Sequence, residues 1–159
     1  MRSDRSKGAV RDESGARLRA QDLAARSHPQ HVASAHRDPA KEPLLEEAAR
    51  LYRPDPANLG TVIRALNTGQ PVLIEDVTDP LLDGMGLKPR VRELFNILAP
   101  VSWMTIPLVA RGKTLGTIVF FYAQPARRYS SEDLSVGQLF ASRAALAIQK
   151  LAIVCHDLP

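Results

Sequence analysis

Reactive side chains are sparse in this 159-residue chain, and those with a useful neighbour sit at its C-terminal end. Residues 151–159 read L-A-I-V-C-H-D-L-P, setting His156 directly before Asp157. A neutral imidazole keeps one ring nitrogen free to act as base or nucleophile, and a carboxylate beside it raises that nitrogen's basicity. Cys155 precedes the pair, but a lone Cys on an apolar helix packs more often than it reacts. His28, His31 and His36 lie close together, yet a metal site needs fixed spacing on a rigid element, so no metal is expected there. His36-Arg37-Asp38-Pro39 reads as a turn. The sequence contains no Walker-type loop, no G-x-S-x-G elbow and no H-E-x-x-H pair, so no catalytic constellation is expected beyond the terminal His–Asp.

The elements that must position these residues follow from the hydrophobic pattern. Val101 to Ala123 holds two β-branched and aromatic runs broken only by Arg111-Gly112-Lys113, the pattern of a β-hairpin with a short Gly-containing loop. Pro107 in the first arm marks a strand edge, bulge or end, and Gly116 in the second marks a bulge or a close backbone approach. The second arm, Leu115 to Tyr122, is apolar at nearly every position, as in strands covered on both faces. Upstream, His31 to Ala35 is a candidate strand. Pro43 to Arg53 is a predicted helix with Leu44, Leu45, Ala48, Leu51 and Tyr52 as its stripe. Asn58 can cap a second helix carrying Leu59, Val62, Ile63 and Leu66, stopped by Gly69. Pro71 to Val77 reads as a strand, 76–83 as a polar turn region, and Pro89 to Leu98 as a helix facing inward with Val91, Leu94, Phe95 and Leu98.

After the hairpin, Ser130 stands three residues before Asp133, a capping-box-like helix start. The helix that follows meets no breaker except Gly137 until Pro159. Phe140, Ala144, Ala147, Leu151, Val154 and Leu158 keep a 4-3 rhythm along it, a heptad seam suited to a weak parallel homodimer. Leu139, Leu146 and Ile153 form a second row, so that one row can pack on the sheet while the other meets a partner. The chain as a whole reads as α+β: a central antiparallel β-sheet flanked by helices, with a long C-terminal helix.

Composition narrows the function classes. Apolar residues make up 45% and charged residues 24%, ordinary for a globular domain. The net charge is +4, and residues 1–40 hold eight Lys/Arg against five Asp/Glu, so the basic excess is mostly N-terminal. No Lys/Arg stripe interleaves with aromatics, and nucleic acid is not an expected partner. Residues 1–30 offer little apolar surface apart from a short amphipathic stretch at 14–26, and are expected to be disordered. A single Cys rules out an intrachain disulfide and suits a reducing compartment. No run approaches a membrane span, so a soluble, cytoplasmic protein is expected.

The hairpin stretch also resembles a known family. S-W-M-T-I-P-L-V-A-R-G-K-T-L-G-T-I-V-F-F-Y-A, followed by R-R-Y-S-S-E-D-L, is similar to the C-terminal half of a GAF domain. The matching positions are Ser102, Pro107-Leu108, Gly112, Gly116 and Asp133-Leu134, joined upstream by A-S-A-H-R-D-P and Thr68-Gly69-Gln70-Pro71. The resemblance places a GAF-like domain at 31–150, with the family's N-terminal strands apparently missing. Open sheet edges, and dependence on pairing with another chain, would follow. It also implies a pocket, with His36, Met104, Ile106, Val119 and Phe121 as candidate lining, although such a His more often just satisfies its turn. The ligand and any cofactor stay unknown. The Asn-Lys-Phe-Asp-Glu signature of cyclic-nucleotide binders is absent, and Cys155, the one residue able to bond a bilin, is far from the pocket in sequence. Residues 151–159 resemble the phosphoacceptor box of two-component sensor histidine kinases, with His156 as the vestigial phosphorylated residue and Asp157 orienting it. The implied function is a non-catalytic sensory or regulatory module of such a phosphorelay protein, without an ATP-binding domain, sensing a small molecule or pairing with a histidine kinase. A ligand-free structural dimerisation module is the alternative.

Overall fold

Two consecutive residues with positive φ, Arg111 at 50° and Gly112 at 76°, turn the chain back on itself. Such a pair is what a two-residue type I′ hairpin needs, and its twist matches that of the flanking strands. In a computed structural model of the chain, residues 31–53 and 60–156 are described, with side chains through Lys150. The segment 1–30, the Asn58 cap and residues 157–159 lie outside the described residues.

The elements are α1 (Glu42–Leu51), α2 (Thr61–Thr68), β1 (Val72–Ile74), α3 (Asp79–Gly84), α4 (Pro89–Leu98), β2 (Ser102–Ala110), β3 (Lys113–Tyr122) and α5 (Ser131–His156). The three strands form one antiparallel sheet in the order β1-β2-β3, so the fold is α+β as expected. β2 lies in the middle and is buried at every position except Val109. β1 reaches only Trp103, Met104 and Thr105, so Pro107 sits beyond its end, where the missing N–H costs no ladder bond on that side. The register of the hairpin shifts between Leu108, opposite Gly116, and Val109, opposite Thr114, leaving Leu115 as the extra residue of a bulge.

Several expectations need correction. His31 to Ala35 forms no strand: no described strand lies beside it to accept its hydrogen bonds, and Val32 is 93% exposed. β3 is covered only in part on each face, by α5 against Ile118 and Phe120 and by Phe95 and Trp103 against Phe121. It is an edge strand among the described residues and stays half-exposed along most of its length. The region 76–83 is not all turn. Thr78 caps it by accepting the Leu81 N–H at 3.4 Å, Pro80 suits the first turn, and Leu82 gives it a buried side chain, so α3 forms. Other boundaries moved little. α1 stops two residues early, β1 is only the middle of Pro71–Val77, and α4 spans Pro89–Leu98 as predicted. Gly69 closes α2 in the left-handed conformation at φ 63°, its N–H on the Ala65 carbonyl.

The apolar interior has two parts. Met104, Ile106, Leu108 and Ala110 of β2 pack on Ala141 and Ala145 of α5. Ala48 of α1 packs on Leu94 and Leu98 of α4, and Arg90 ties the same two helices by gripping both carboxylate oxygens of Glu47 at 2.8 and 3.0 Å.

Candidate functional site

Side chains alternate across a strand, so the pairing register decides which hairpin residues share a face. Met104 pairs with Phe120 and Ile106 with Ile118, all on the face that carries α5. Trp103 pairs with Phe121 and Thr105 with Val119, on the opposite face. The four residues expected to line one pocket therefore divide. Met104 and Ile106 are buried against α5, while Val119 and Phe121 belong to the other side of the sheet. His36 does not join either pair. Its Nδ1 accepts the Asp38 N–H at 2.9 Å, which closes its own turn.

The α5 face is packed closely. An added Cβ at Gly137 would stand 2.5 Å from Ile106 Cδ1 and 3.2 Å from Met104 Cε, so any larger residue has to displace the ends of those two side chains. Gly137, Ala141 and Ala145, four residues apart, form the stripe that faces β2. Among the described side chains of the two expected rows only Ala144, half-buried, packs on this core: Phe140 is 61% and Leu139 62% exposed, and Ala147 is exposed. The sheet needs a small-residue stripe at this distance, which pushes both large-residue rows outward. The side chains of Leu151, Val154 and Leu158, the rest of the expected seam, lie outside the described residues, as does Asp157. His156 is the last helical residue.

The start of α5 is fixed by reciprocal capping, as the Ser130–Asp133 spacing predicts. Asp133 Oδ2 accepts the Ser130 N–H at 2.9 Å, and Ser130 Oγ accepts the Asp133 N–H. The Ser130 N–H, with Arg127 beside it, holds the Asp133 carboxyl below the usual carboxylate range. A second polar node lies just above. Ser102, fully buried, donates from Oγ to the Ile74 carbonyl at 2.9 Å and accepts the Tyr129 N–H at 3.0 Å. One hydroxyl thus joins β1, β2 and the approach to α5.

The opposite face is aromatic. Phe95 of α4, Trp103 and Phe121 meet edge-to-face with ring centroids 5.6–6.2 Å apart. Trp103 is 2% exposed, and its indole N–H has no hydrogen-bond partner among the described residues. Beside it, the Thr105 hydroxyl bonds that of Thr61 on α2 at 3.0 Å. Trp103 was missed as a candidate site residue. The signal was available, since Trp is the strand side chain that brings a donor needing a partner into an apolar run.

Charged side chains near α3 and α4 are mostly engaged. Arg92 holds Asp79 at 2.7 Å and Asp83 at 3.3 Å, clamping α3 to α4, and also reaches Asn96. No group of three or more His, Cys, Asp and Glu among the described residues could hold a metal ion. No described helix is long and apolar enough to cross a membrane.

Comparison with known proteins agrees with this architecture. A family model described as the GAF domain matches residues 8–148, beginning before the His31 boundary expected from sequence. Among solved structures, one described as a domain of a two-component sensor histidine kinase protein from Sinorhizobium meliloti 1021 aligns with a TM-score of 0.52. Identity is 14%, covering 94% of this chain and 82% of that one. A GAF domain/HD domain protein from Geobacter sulfurreducens aligns with a TM-score of 0.58 and 17% identity, covering 80% of this chain and 76% of that one. No curated protein matches the sequence.

Proposed function

We propose, from the premise that this chain belongs to the GAF domain family, that it is a non-catalytic sensory or regulatory module of a two-component signalling protein. In this reading it responds to a small molecule or a neighbouring domain and passes the response along α5. The observation that carries the reading is the construction of that helix. Its N-terminal half is locked to the sheet through Gly137, Ala141 and Ala145, and it then runs on for a total of 26 residues as one continuous element. A change in the sheet therefore has a stiff path outward. His156 and Asp157 would be the vestige of a phosphoacceptor site at the end of that path, and the cytosol is the compartment that fits the single Cys.

A second reading has its own observation. Val136, Leu139, Phe140, Leu146 and Ile148 leave α5 with a large exposed apolar surface, as a ligand-free dimerisation module requires. One experiment separates the two. The chain is joined through α5 to the phosphoacceptor and ATP-binding region of a histidine kinase, with one to four residues inserted after Lys150. Each insertion turns the downstream helix by about 100°, so a signalling helix gives autophosphorylation that rises and falls with insertion length. Equal activity at every length, with the fusion still dimeric, would leave the structural module as the better reading.

A further inference from the structure

We propose that the outward face of α5 pairs with the same face of a second copy of this chain, the two helices running antiparallel. The inference rests on the dimerisation reading above and gives it a face, a direction and a register.

The sheet selects the face. With Gly137, Ala141 and Ala145 turned to β2, the opposite side of α5 carries Glu132, Val136, Leu139, Arg143, Leu146 and Lys150. The intervals between them alternate four and three, so they form one row along the helix. Val136 is 70% exposed, Leu139 62% and Leu146 51%, and Phe140 flanks the row. A strip with four large apolar side chains marks a surface that a partner covers. It is a different row from the seam that periodicity alone selects.

Charge selects the occupant. Glu132, Arg143 and Lys150 are exposed, and none of the three forms an ion pair among the described residues. A parallel copy would set Arg143 against Arg143 and Lys150 against Lys150, two like-charge layers within the row. Residues 1–30 of the chain itself hold seven Lys/Arg against four Asp/Glu, and would add to the positive charge. An antiparallel copy removes the conflict. About a two-fold axis level with Ala141, Glu132 meets Lys150 of the second copy, Val136 meets Leu146, and Leu139 meets the apolar stem of Arg143. Each of these contacts is made twice, as an interface between identical surfaces requires. Sliding one copy by seven residues sets Lys150 opposite Leu139 or opposite Pro125, which precedes the helix. Charge therefore fixes the register, and the two His156 ends point away from each other.

Two measurements on the full chain test this. The first places a nitroxide spin label on the native Cys155 and reads the distance between labels by pulsed electron resonance. At 1.5 Å per residue from the level of Ala141, the antiparallel pair sets the two labelled positions about 42 Å apart. A parallel pair holds them near the interaxial distance of about 10 Å. The second follows self-association by sedimentation. Lys150→Glu and Glu132→Lys should each weaken it about tenfold, and the double variant Glu132→Lys/Lys150→Glu should restore it. Within one helix these positions are about 27 Å apart, so restoration can only come from contact between copies. Both side chains are exposed, and helix content by circular dichroism should be the same in every variant. A dimer with the short label distance, or a double variant no tighter than the single ones, would overturn the antiparallel pairing and leave the dimerisation reading standing. A monomer at every concentration would remove both.

Discussion

The two faces of the β2–β3 hairpin are built from similar residues and solve their packing in opposite ways. On one face, Met104 and Ile106 meet a helix that presents glycine and alanine, close enough that a single added carbon collides. On the other, three aromatic rings lean edge to face, Phe121 stays partly exposed, and a buried indole N–H has no partner among the described residues. Close packing by small residues leaves one arrangement open to the helix. Aromatic packing with an unpaired donor leaves room for more than one. The first face is suited to hold α5 in register, and the second is where the domain can yield.

This contrast can be broken experimentally. Gly137→Leu puts four carbons where even one stands 2.5 Å from the end of the buried Ile106 side chain, so Ile106 and Met104 must be displaced. Overpacking of this kind costs about 1–3 kcal/mol, reduced by the roughly 1 kcal/mol a helix gains on losing an interior glycine. Urea denaturation should therefore show a clear loss, and unchanged or higher stability would mean that the α5 face is not close-packed. Trp103→Phe should do less. It removes a buried donor that has no partner among the described residues, whose desolvation is worth about 1–3 kcal/mol, and this offsets much of the lost ring contact. A net change within about 1 kcal/mol is expected, against the roughly 3–5 kcal/mol of a Trp truncated to Ala. A loss as large as that truncation would show the indole to be fully used, and the two faces would then be alike.

The smallest effect concerns the start of α5 and sharpens the comparison through pH. The Asp133 carboxyl has its folded pKa held below its ordinary value of 3.8. Its contribution to stability is therefore complete above that value and is lost as pH falls through the lower, folded one. Asp133→Asn should destabilise the chain slightly at neutral pH, and the difference from the parent should vanish in the acid range below 3.8. Helix content followed by circular dichroism across that range checks it, and a difference that persists in acid would remove Asp133 from the capping argument.

How far the sequence carried this picture depends on what each feature needed. The hairpin, the α4 boundaries, the Gly69 stop and the Ser130–Asp133 cap rest on local chemistry and were legible. The pocket quartet was not, and the bulge explains why. With an unbroken ladder from the Arg111–Gly112 turn, Val119 would oppose Met104, and Phe121 would oppose Ser102, on the α5 face. The extra residue at Leu115 shifts the register by one, so that Val119 opposes Thr105 and Phe121 opposes Trp103. Gly116 hinted that a bulge lay nearby, but not on which residue. The facing of α5 escaped for another reason. Large apolar residues dominate a periodicity search, and Gly137, Ala141 and Ala145 become its inner stripe only once the sheet is present to select closeness over bulk.

The Ser102 hydroxyl has a mechanical consequence. It fastens the root of α5 to β1 and β2 through two hydrogen bonds of about 3 Å, at a point beside the reciprocal cap. A helix held at its root acts as a lever whose gain is set by its length. Beyond Ala145, where contact with β2 ends, α5 continues to His156, about 16 Å at 1.5 Å per residue, so a tilt of about 5° there sweeps the far end through about 1.4 Å. The Ser102 joint and the Gly137–Ala145 contact together make the clamp, and its stiffness sets how much of a small strain in the sheet arrives as displacement at His156.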